Sequence, residues 1–306
     1  MNKLVAIVGP TAIGKTELAI KLAQSLNAEI VNADSRQVYR YMDIGTAKPT
    51  AEEQSLVPHH LIDIVDPDQD FSLALFQDLA YQAIRDIHQR GKLPLLVGGS
   101  GLYVWAVLEG WSIPKVSPNP RIRRELQDRA ESEGGEALYR ELSTLDPEAA
   151  VKIDPKNLRR VIRALEVCRS TGKPFSELGK KNPPDFDNLI IGLTTERSRL
   201  YQRIDSRVDR MIEQGFVGEV KSLLDRGYSL ELPSMSSVGY RQMGKFLSGE
   251  MSLPDYIQRI KFETHRFARH QYAWFRLKDE RIRWFDTGEK AADDALRLAE
   301  RMLKSG

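Results

Sequence analysis

Leu4-Val5-Ala6-Ile7-Val8-Gly9-Pro10-Thr11-Ala12-Ile13-Gly14-Lys15-Thr16 is the stretch on which the fold of this chain turns. Residues 9–16 match G-x-x-x-x-G-K-[ST], the phosphate-binding loop pattern. The apolar run before the loop reads as a buried strand. Residues 16–26 after it repeat apolar side chains at Leu18, Ala19, Leu22 and Leu26, the period of a helix. Between such a strand and helix, backbone N–H groups can turn inward on phosphate oxygens, and the helix N-terminus adds positive potential. Lys15 supplies a mobile cation, and Thr16 is placed to ligate Mg²⁺. A glycine turn without a ligand fits the same letters, but the flanking elements favour an anion site. The candidate set for binding a di- or triphosphate is Gly9, Pro10, Thr11, Ala12, Ile13, Gly14, Lys15 and Thr16.

Outward from the loop, short apolar runs at 29–33, 61–65 and 93–98 read as further strands, and 71–90 reads as a helix with its apolar stripe at Leu75, Leu79, Ala83 and Ile87. Strands apolar throughout and separated by helices predict an α/β fold with a parallel sheet covered on both faces. The phosphate loop makes it P-loop NTPase-like. From Pro114 to Pro184 no strand pattern occurs. Helical periods alternate there with Pro118-Asn119-Pro120, Gly134-Gly135, Asp154-Pro155 and Gly172-Lys173-Pro174, and Lys plus Arg number 15 against 11 Asp plus Glu. A strand returns at 189–193, helical patterns follow at 198–226 and 256–276, and a last strand is expected at 282–286. The expected organisation is a core of residues 1–114 and 185–306, interrupted by an all-helical insertion at 115–184.

The 306 residues carry 45 Lys plus Arg against 43 Asp plus Glu, a net charge of +2, which excludes a uniformly cationic surface. At 41% hydrophobic and 29% charged, the composition is that of a globular protein. A single cysteine, Cys168, allows no internal disulfide and no multi-cysteine zinc site, which suits a reducing, cytoplasmic setting. No apolar run is long enough to span a bilayer.

Two strand ends carry candidate chemistry. Phosphate-loop hydrolases commonly end a second apolar strand in a metal-binding Asp. Here 93–97 runs instead into Gly98-Gly99-Ser100-Gly101, which speaks against ATP hydrolysis and leaves either a plain turn or a close approach of ligand or backbone. The strand at 29–33 runs into Asp34-Ser35-Arg36-Gln37, where the ends of parallel strands face ligands. Asp34 would serve as a proton acceptor or as a helix cap.

Taken together, Gly9–Thr16, Asp34-Ser35-Arg36-Gln37-Val38-Tyr39, Met42-Asp43-Ile44-Gly45-Thr46-Ala47-Lys48-Pro49, Gly98-Gly99-Ser100-Gly101-Leu102-Tyr103, Val238-Gly239-Tyr240-Arg241-Gln242 and Arg269-His270-Gln271-Tyr272-Ala273-Trp274-Phe275-Arg276 resemble the bacterial tRNA dimethylallyltransferases, in order and over nearly the whole chain. The resemblance implies transfer of a dimethylallyl group from dimethylallyl diphosphate to N6 of the adenosine 3′-adjacent to a tRNA anticodon. It implies Mg²⁺ as cofactor and a phosphate loop that holds the diphosphate leaving group. Asp34 would be the general base, Thr11 would orient the attacking amine or the diphosphate, and Arg207 would pair with the diphosphate. The tRNA-contacting positions implied are Asp34, Ser35, Arg36 and Gln37; Ser100; Arg123; Arg159, Arg160, Val161, Ile162 and Arg163; and Ser236, Ser237, Val238, Gly239, Tyr240 and Arg241. The partners implied are tRNA, through its anticodon stem-loop, and dimethylallyl diphosphate, with no membrane and a monomeric protein. This chain departs from the family in carrying Arg269-His270-Gln271 where Lys-Arg-Gln is common, and Ser236 where some members carry Arg. On the residues alone, a small-molecule kinase, a prenyltransferase acting on free adenine nucleotides and an RNA-binding module with a vestigial loop remain open. The basic insertion argues against the first, and intact Lys15, Thr16 and Asp34 against the last.

Overall fold

A computed structural model describes residues 2–114, 119–179, 181–288 and 290–304. The chain divides into two compact units, Met1–Leu108 with Asp185–Gly306, and Glu109–Pro184.

In the first unit the chain order is β1 (Lys3–Val8), α1 (Lys15–Leu26), β2 (Ala28–Asn32), α2 (Ala51–Leu56), β3 (His59–His60), α3 (Leu73–Gln89), β4 (Leu93–Gly98) and α4 (Gly101–Leu108). The second unit then supplies α5 (Pro120–Glu133), α6 (Gly135–Leu145), α7 (Pro147–Lys152), α8 (Leu158–Thr171) and a 3₁₀ turn at Phe175–Gly179. The first unit resumes with β5 (Asp187–Thr194), α9 (Arg197–Glu213), α10 (Phe216–Asp225), a 3₁₀ turn at Pro233–Ser236, α11 (Tyr240–Leu247), α12 (Leu253–Trp274), β6 (Ile282–Asp286) and α13 (Ala291–Lys304).

The six strands pair in parallel throughout, in the order β3-β2-β4-β1-β5-β6. The register sets Val8 beside Gly98 and Gly192, and Asn32 beside Val97, so the loops leaving β1, β2, β4 and β5 start at one edge of the sheet. All six residues of both β1 and β4 are buried, as a sheet covered on two faces requires. One core cluster surrounds the sheet, with Ile7, Leu22, Leu95, Ile191 and Ile204 fully or almost fully buried. A second gathers Val38 and Met42 with Phe216, Tyr240, Met243 and Tyr256.

The sequence reading needs three corrections. Residues 61–65 do not form a strand. Leu61 and Asp63 adopt left-handed backbone (φ 64° and 55°), and Ile64 and Val65 donate their N–H groups to Val38 O rather than extending the sheet. Only His59 and His60 pair with β2. The helical pattern at 198–226 is two helices, broken where Gly215 turns left-handed (φ 96°). On α3 the buried face is Phe76, Ala80, Ala83, Ile84 and Ile87, while Leu75 is exposed.

The second unit is helical, as its sequence predicted. Leu126, Leu138, Leu142, Val161 and Leu165 are fully buried at its centre. Glu166, also fully buried, accepts hydrogen bonds from Arg123 (2.9 and 3.1 Å), Arg163 (2.6 Å) and the N–H of Asn119 (2.6 Å). Burial alone would push its pKa up, but these donors, Arg163 foremost, hold it below the ordinary carboxylate value.

Candidate active site

The phosphate loop is shaped by backbone that most residues avoid. Gly9 has φ 147°, and a Cβ there would sit 2.7 Å from the carbonyl oxygen of Leu193, so only glycine lets β1 turn away beside β5. Gly14 and Ala12 are also at positive φ. Lys15 folds back over the loop and donates to the carbonyls of Gly9 (3.1 Å) and Pro10 (2.7 Å). Burial lowers its pKa to about 8, with Arg207 adding to the fall and Asp34 opposing it. Its charge is therefore held ready but poorly solvated, a state that an anion would relieve.

Asp34 lies just beyond β2, with β4 between β2 and β1, so roughly 10 Å of sheet separates its strand from that of the phosphate loop. Asp34 Oδ1 accepts the N–H of Arg36 at 2.8 Å, an Asx turn, which leaves Oδ2 without a hydrogen-bond partner among the described residues. Arg207 extends from α9. Burial depresses its pKa, and the Asp34 carboxylate works against that fall.

Thr11, Lys15, Thr16, Asp34, Gln37 and Arg207 all line one cavity of about 1620 Å³ within the first unit. That exceeds the roughly 300–1,000 Å³ of a small-ligand pocket and leaves room for more than a diphosphate ester. Arg203 and Arg210 share the same wall, with Arg203 also donating to Ile13 O at 3.2 Å. Their spacing of four and three residues from Arg207 was visible in the sequence as a basic helix face. Thr16 lines the cavity as well, but no group of three or more His, Cys, Asp or Glu converges among the described residues. A divalent ion here would rely on the Thr16 hydroxyl, diphosphate oxygens and water, an oxygen set of the kind Mg²⁺ takes.

The remaining predicted positions are placed differently. Ser100 Oγ accepts the N–H of Ser35 at 3.1 Å, and Gln37 donates to Thr46 O and Ala47 O. The Arg36 guanidinium donates to Pro233 O, Ser234 O and Ser236 Oγ, so it clamps the 3₁₀ turn rather than standing free. Arg241 is exposed, and Ser237 and Val238 are half-buried. Tyr240 is fully buried, and Gly239 before it is buried as well. In the second unit Arg159 and Arg160 are exposed, whereas Val161 and Ile162 face the core with 0% and 7% exposure. The side chains of Val161, Ile162 and Tyr240 therefore meet protein, not RNA. A contiguous contact stretch on a helix necessarily includes its buried positions. Arg123 and Arg163 spend much of their charge on Glu166.

The glycines at and after the end of β4 let other protein groups approach closely. A Cβ on Gly98 would fall 2.2 Å from Ala33 O, one on Gly99 2.3 Å from Gln271 Nε2, and one on Gly101 2.3 Å from the Trp274 ring.

Glu219 and Lys48 received no individual role from the sequence. Glu219 on α10 accepts three consecutive N–H groups, from Asp43 (2.8 Å), Ile44 (2.6 Å) and Gly45 (3.1 Å), and the hydroxyl of Tyr240 (2.5 Å). Lys48, 9% exposed, is held by Asp43, Asp63 and the carbonyl of Tyr39. Together they set the 43–49 loop as a wall of the cavity. Glu219→Gln exchanges one acceptor for a donor facing these N–H groups and is expected to lower unfolding free energy by about 2–3 kcal/mol. Urea denaturation measures this, and a loss below about 0.5 kcal/mol would show that the loop does not depend on the carboxylate.

The IPP transferase family model matches residues 37–278, and the isopentenyl transferase model matches residues 2–63. A tRNA dimethylallyltransferase of Dehalococcoides mccartyi is 50% identical over 303 residues, covering 99% of this chain and 93% of the relative. The crystal structure of a tRNA isopentenylpyrophosphate transferase from Bacillus halodurans aligns with TM-score 0.72 at 45% identity, covering 99% of this chain and 96% of that one. A eukaryotic dimethylallyltransferase acting on tRNA aligns with TM-score 0.84 at 30% identity, covering 99% and 80%. With a phosphate loop and a strand-end carboxylate opening on one cavity, and likeness of this extent in sequence and fold, the chain belongs to the IPP transferase family of tRNA dimethylallyltransferases.

Proposed function

We propose that the protein transfers the dimethylallyl group of dimethylallyl diphosphate to N6 of the adenosine 3′-adjacent to the anticodon of tRNA, releasing diphosphate. The supporting observation is the cavity itself, which Lys15, Thr16 and Arg207 line together with Asp34, whose second carboxylate oxygen has no hydrogen-bond partner among the described residues. Breaking the allylic C1–O bond leaves negative charge on the diphosphate. In this reading Lys15, Arg207 and the loop N–H groups other than that of Thr11 bind it as it develops. The new bond joins C1 to N6, and the proton lost from N6 passes to Asp34. An exocyclic adenine amine is weakly basic, so a placed proton acceptor assists its attack. Thr11 orients the amine or the diphosphate. The Thr16 hydroxyl would hold Mg²⁺, which when bound would supply further charge neutralisation on the diphosphate.

The target adenosine leaves its stack to reach such a cavity, as base-modifying enzymes require. The helical insertion of residues 115–184 supplies exposed Arg159 and Arg160 to backbone phosphates of the anticodon stem. The core adds Arg241 and the backbone of the 236–241 stretch. No helix among the described residues is long and apolar enough to cross a membrane, and the protein acts as a cytoplasmic monomer in this reading.

One assay decides the matter. Unmodified tRNA is incubated with labelled dimethylallyl diphosphate and Mg²⁺, alongside AMP as alternative acceptor and ATP as alternative donor. Label entering tRNA but not AMP is the expected result. Phosphorylation from ATP without prenyl transfer would overturn the proposal.

A further inference from the structure

Gln271 sits near the end of α12, 4% exposed, and its amide makes two hydrogen bonds, both to backbone. Oε1 accepts the N–H of Thr11 at 2.8 Å, and Nε2 donates to the carbonyl of Gly99 at 2.9 Å. One side chain thus joins the loop leaving β1 to the loop leaving β4. Ser100, next to Gly99, carries the link onward. Its Oγ accepts the N–H of Ser35 at 3.1 Å and lies 3.3 Å from Ser35 Oγ, beside Asp34.

Three loops are therefore tied in series at the edge of the sheet, where the backbone ladder that aligned their strands has ended. The tie is closely fitted. A Cβ on Gly99 would stand 2.3 Å from Gln271 Nε2 and 3.3 Å from the carbonyl oxygen of Gly9. The amide is also matched at both ends, donor to acceptor and acceptor to donor, which a carboxylate or thioether of similar size cannot do. Thr11 N–H, engaged by Gln271, is withdrawn from any ligand, so this bond shapes the loop instead of binding an anion.

We propose that Gln271 is a positioning residue that holds the phosphate loop and, through Gly99 and Ser100, the Asp34 loop in one fixed arrangement, so that the diphosphate and the proton acceptor meet the two substrates together. This rests on the prenyl-transfer reading for its catalytic half, while its effect on the phosphate loop does not.

The test uses the full chain with two substitutions, Gln271→Met and Ser100→Ala, and three readouts: affinity for inorganic diphosphate with Mg²⁺, single-turnover transfer rate, and tRNA affinity. Gln271→Met is expected to weaken diphosphate binding about tenfold and to slow transfer about 100-fold, with tRNA affinity within about threefold. Ser100→Ala cuts only the second link. It is expected to leave diphosphate affinity within about twofold and to slow transfer about tenfold, and the double variant is expected to be no slower than about 200-fold, because the two ties act in series. A Gln271→Met protein with normal diphosphate binding and transfer rate overturns the proposal. So does one whose deficit lies wholly in tRNA affinity, which would make Gln271 an RNA contact. Should Gln271→Met fail to fold, a Ser100→Ala variant that transfers at the normal rate overturns the catalytic half. If the unaltered protein binds diphosphate but transfers no prenyl group, the functional reading fails, and the diphosphate affinities still judge the role of Gln271 on the loop.

Discussion

Asp34→Asn is expected to lower the transfer rate by about 10³-fold, within the range that a positioned general base contributes. The substitution is chosen for what it keeps. Asparagine retains Oδ1 for the N–H of Arg36, the 2.8 Å bond that closes the turn, so the loop has no reason to move. What it removes is the basicity of the second oxygen, which has no partner among the described residues and belongs to a residue lining the cavity. Affinity for tRNA is therefore expected to stay within a few-fold of normal. Single-turnover kinetics separate the two quantities. A variant within tenfold of the normal rate would take Asp34 out of the proton-accepting role and leave it as the turn-former that its bond to Arg36 already makes it.

The second large effect concerns Lys15. Lys15→Met is expected to reduce kcat/KM for dimethylallyl diphosphate by about 10²–10³-fold, the scale of losing one donor to a developing anion. Its pH dependence is the sharper signature. In the folded, ligand-free protein burial brings the ammonium down from 10.5 to about 8. A lysine whose pKa is lower folded than unfolded is charged at a cost to the fold. That cost is present in full below pH 8 and is relieved as pH rises from 8 towards 10.5. Diphosphate makes the opposite demand, since it needs the ammonium charged. Its affinity is expected to fall above pH 8, by up to about tenfold per pH unit, with proton uptake on binding. Calorimetry in buffers of differing ionisation enthalpy measures that uptake. Lys15→Met should lose this limb, and persistence of the limb in the variant would assign it to another group.

Much of the core was legible before the structure. The β1–loop–α1 unit, β4, β5 and β6 appear where apolar runs and their glycine and proline boundaries placed them, because each is set by local periodicity and backbone preference. The 61–65 strand failed for a reason that no window contains. Residues 63–65 hydrogen-bond with residues 37–40, and Asp63 is drawn to Lys48, so its backbone follows the neighbouring loop and not the sheet. The candidate site divides in the same way. Lys15 and Thr16 are spelled out by a contiguous pattern, and Asp34 follows from its position after an apolar strand.

Sequence alone determined that this chain would build a parallel sheet with a phosphate-loop-like turn at its edge, since the residues responsible are neighbours along the chain and act through their own backbone. Tertiary structure alone decided which distant side chains complete that edge. Gln271 reaches Thr11 across 260 positions, and Glu219 reaches Gly45 across 174. It also decided how particular arginines are disposed, Arg159 and Arg160 being exposed while Arg123 and Arg163 are tied to Glu166. The physical reason is that a hydrogen bond or a buried charge is a property of two groups in space. Periodicity reports which face of an element is buried, and only packing reports what lies opposite.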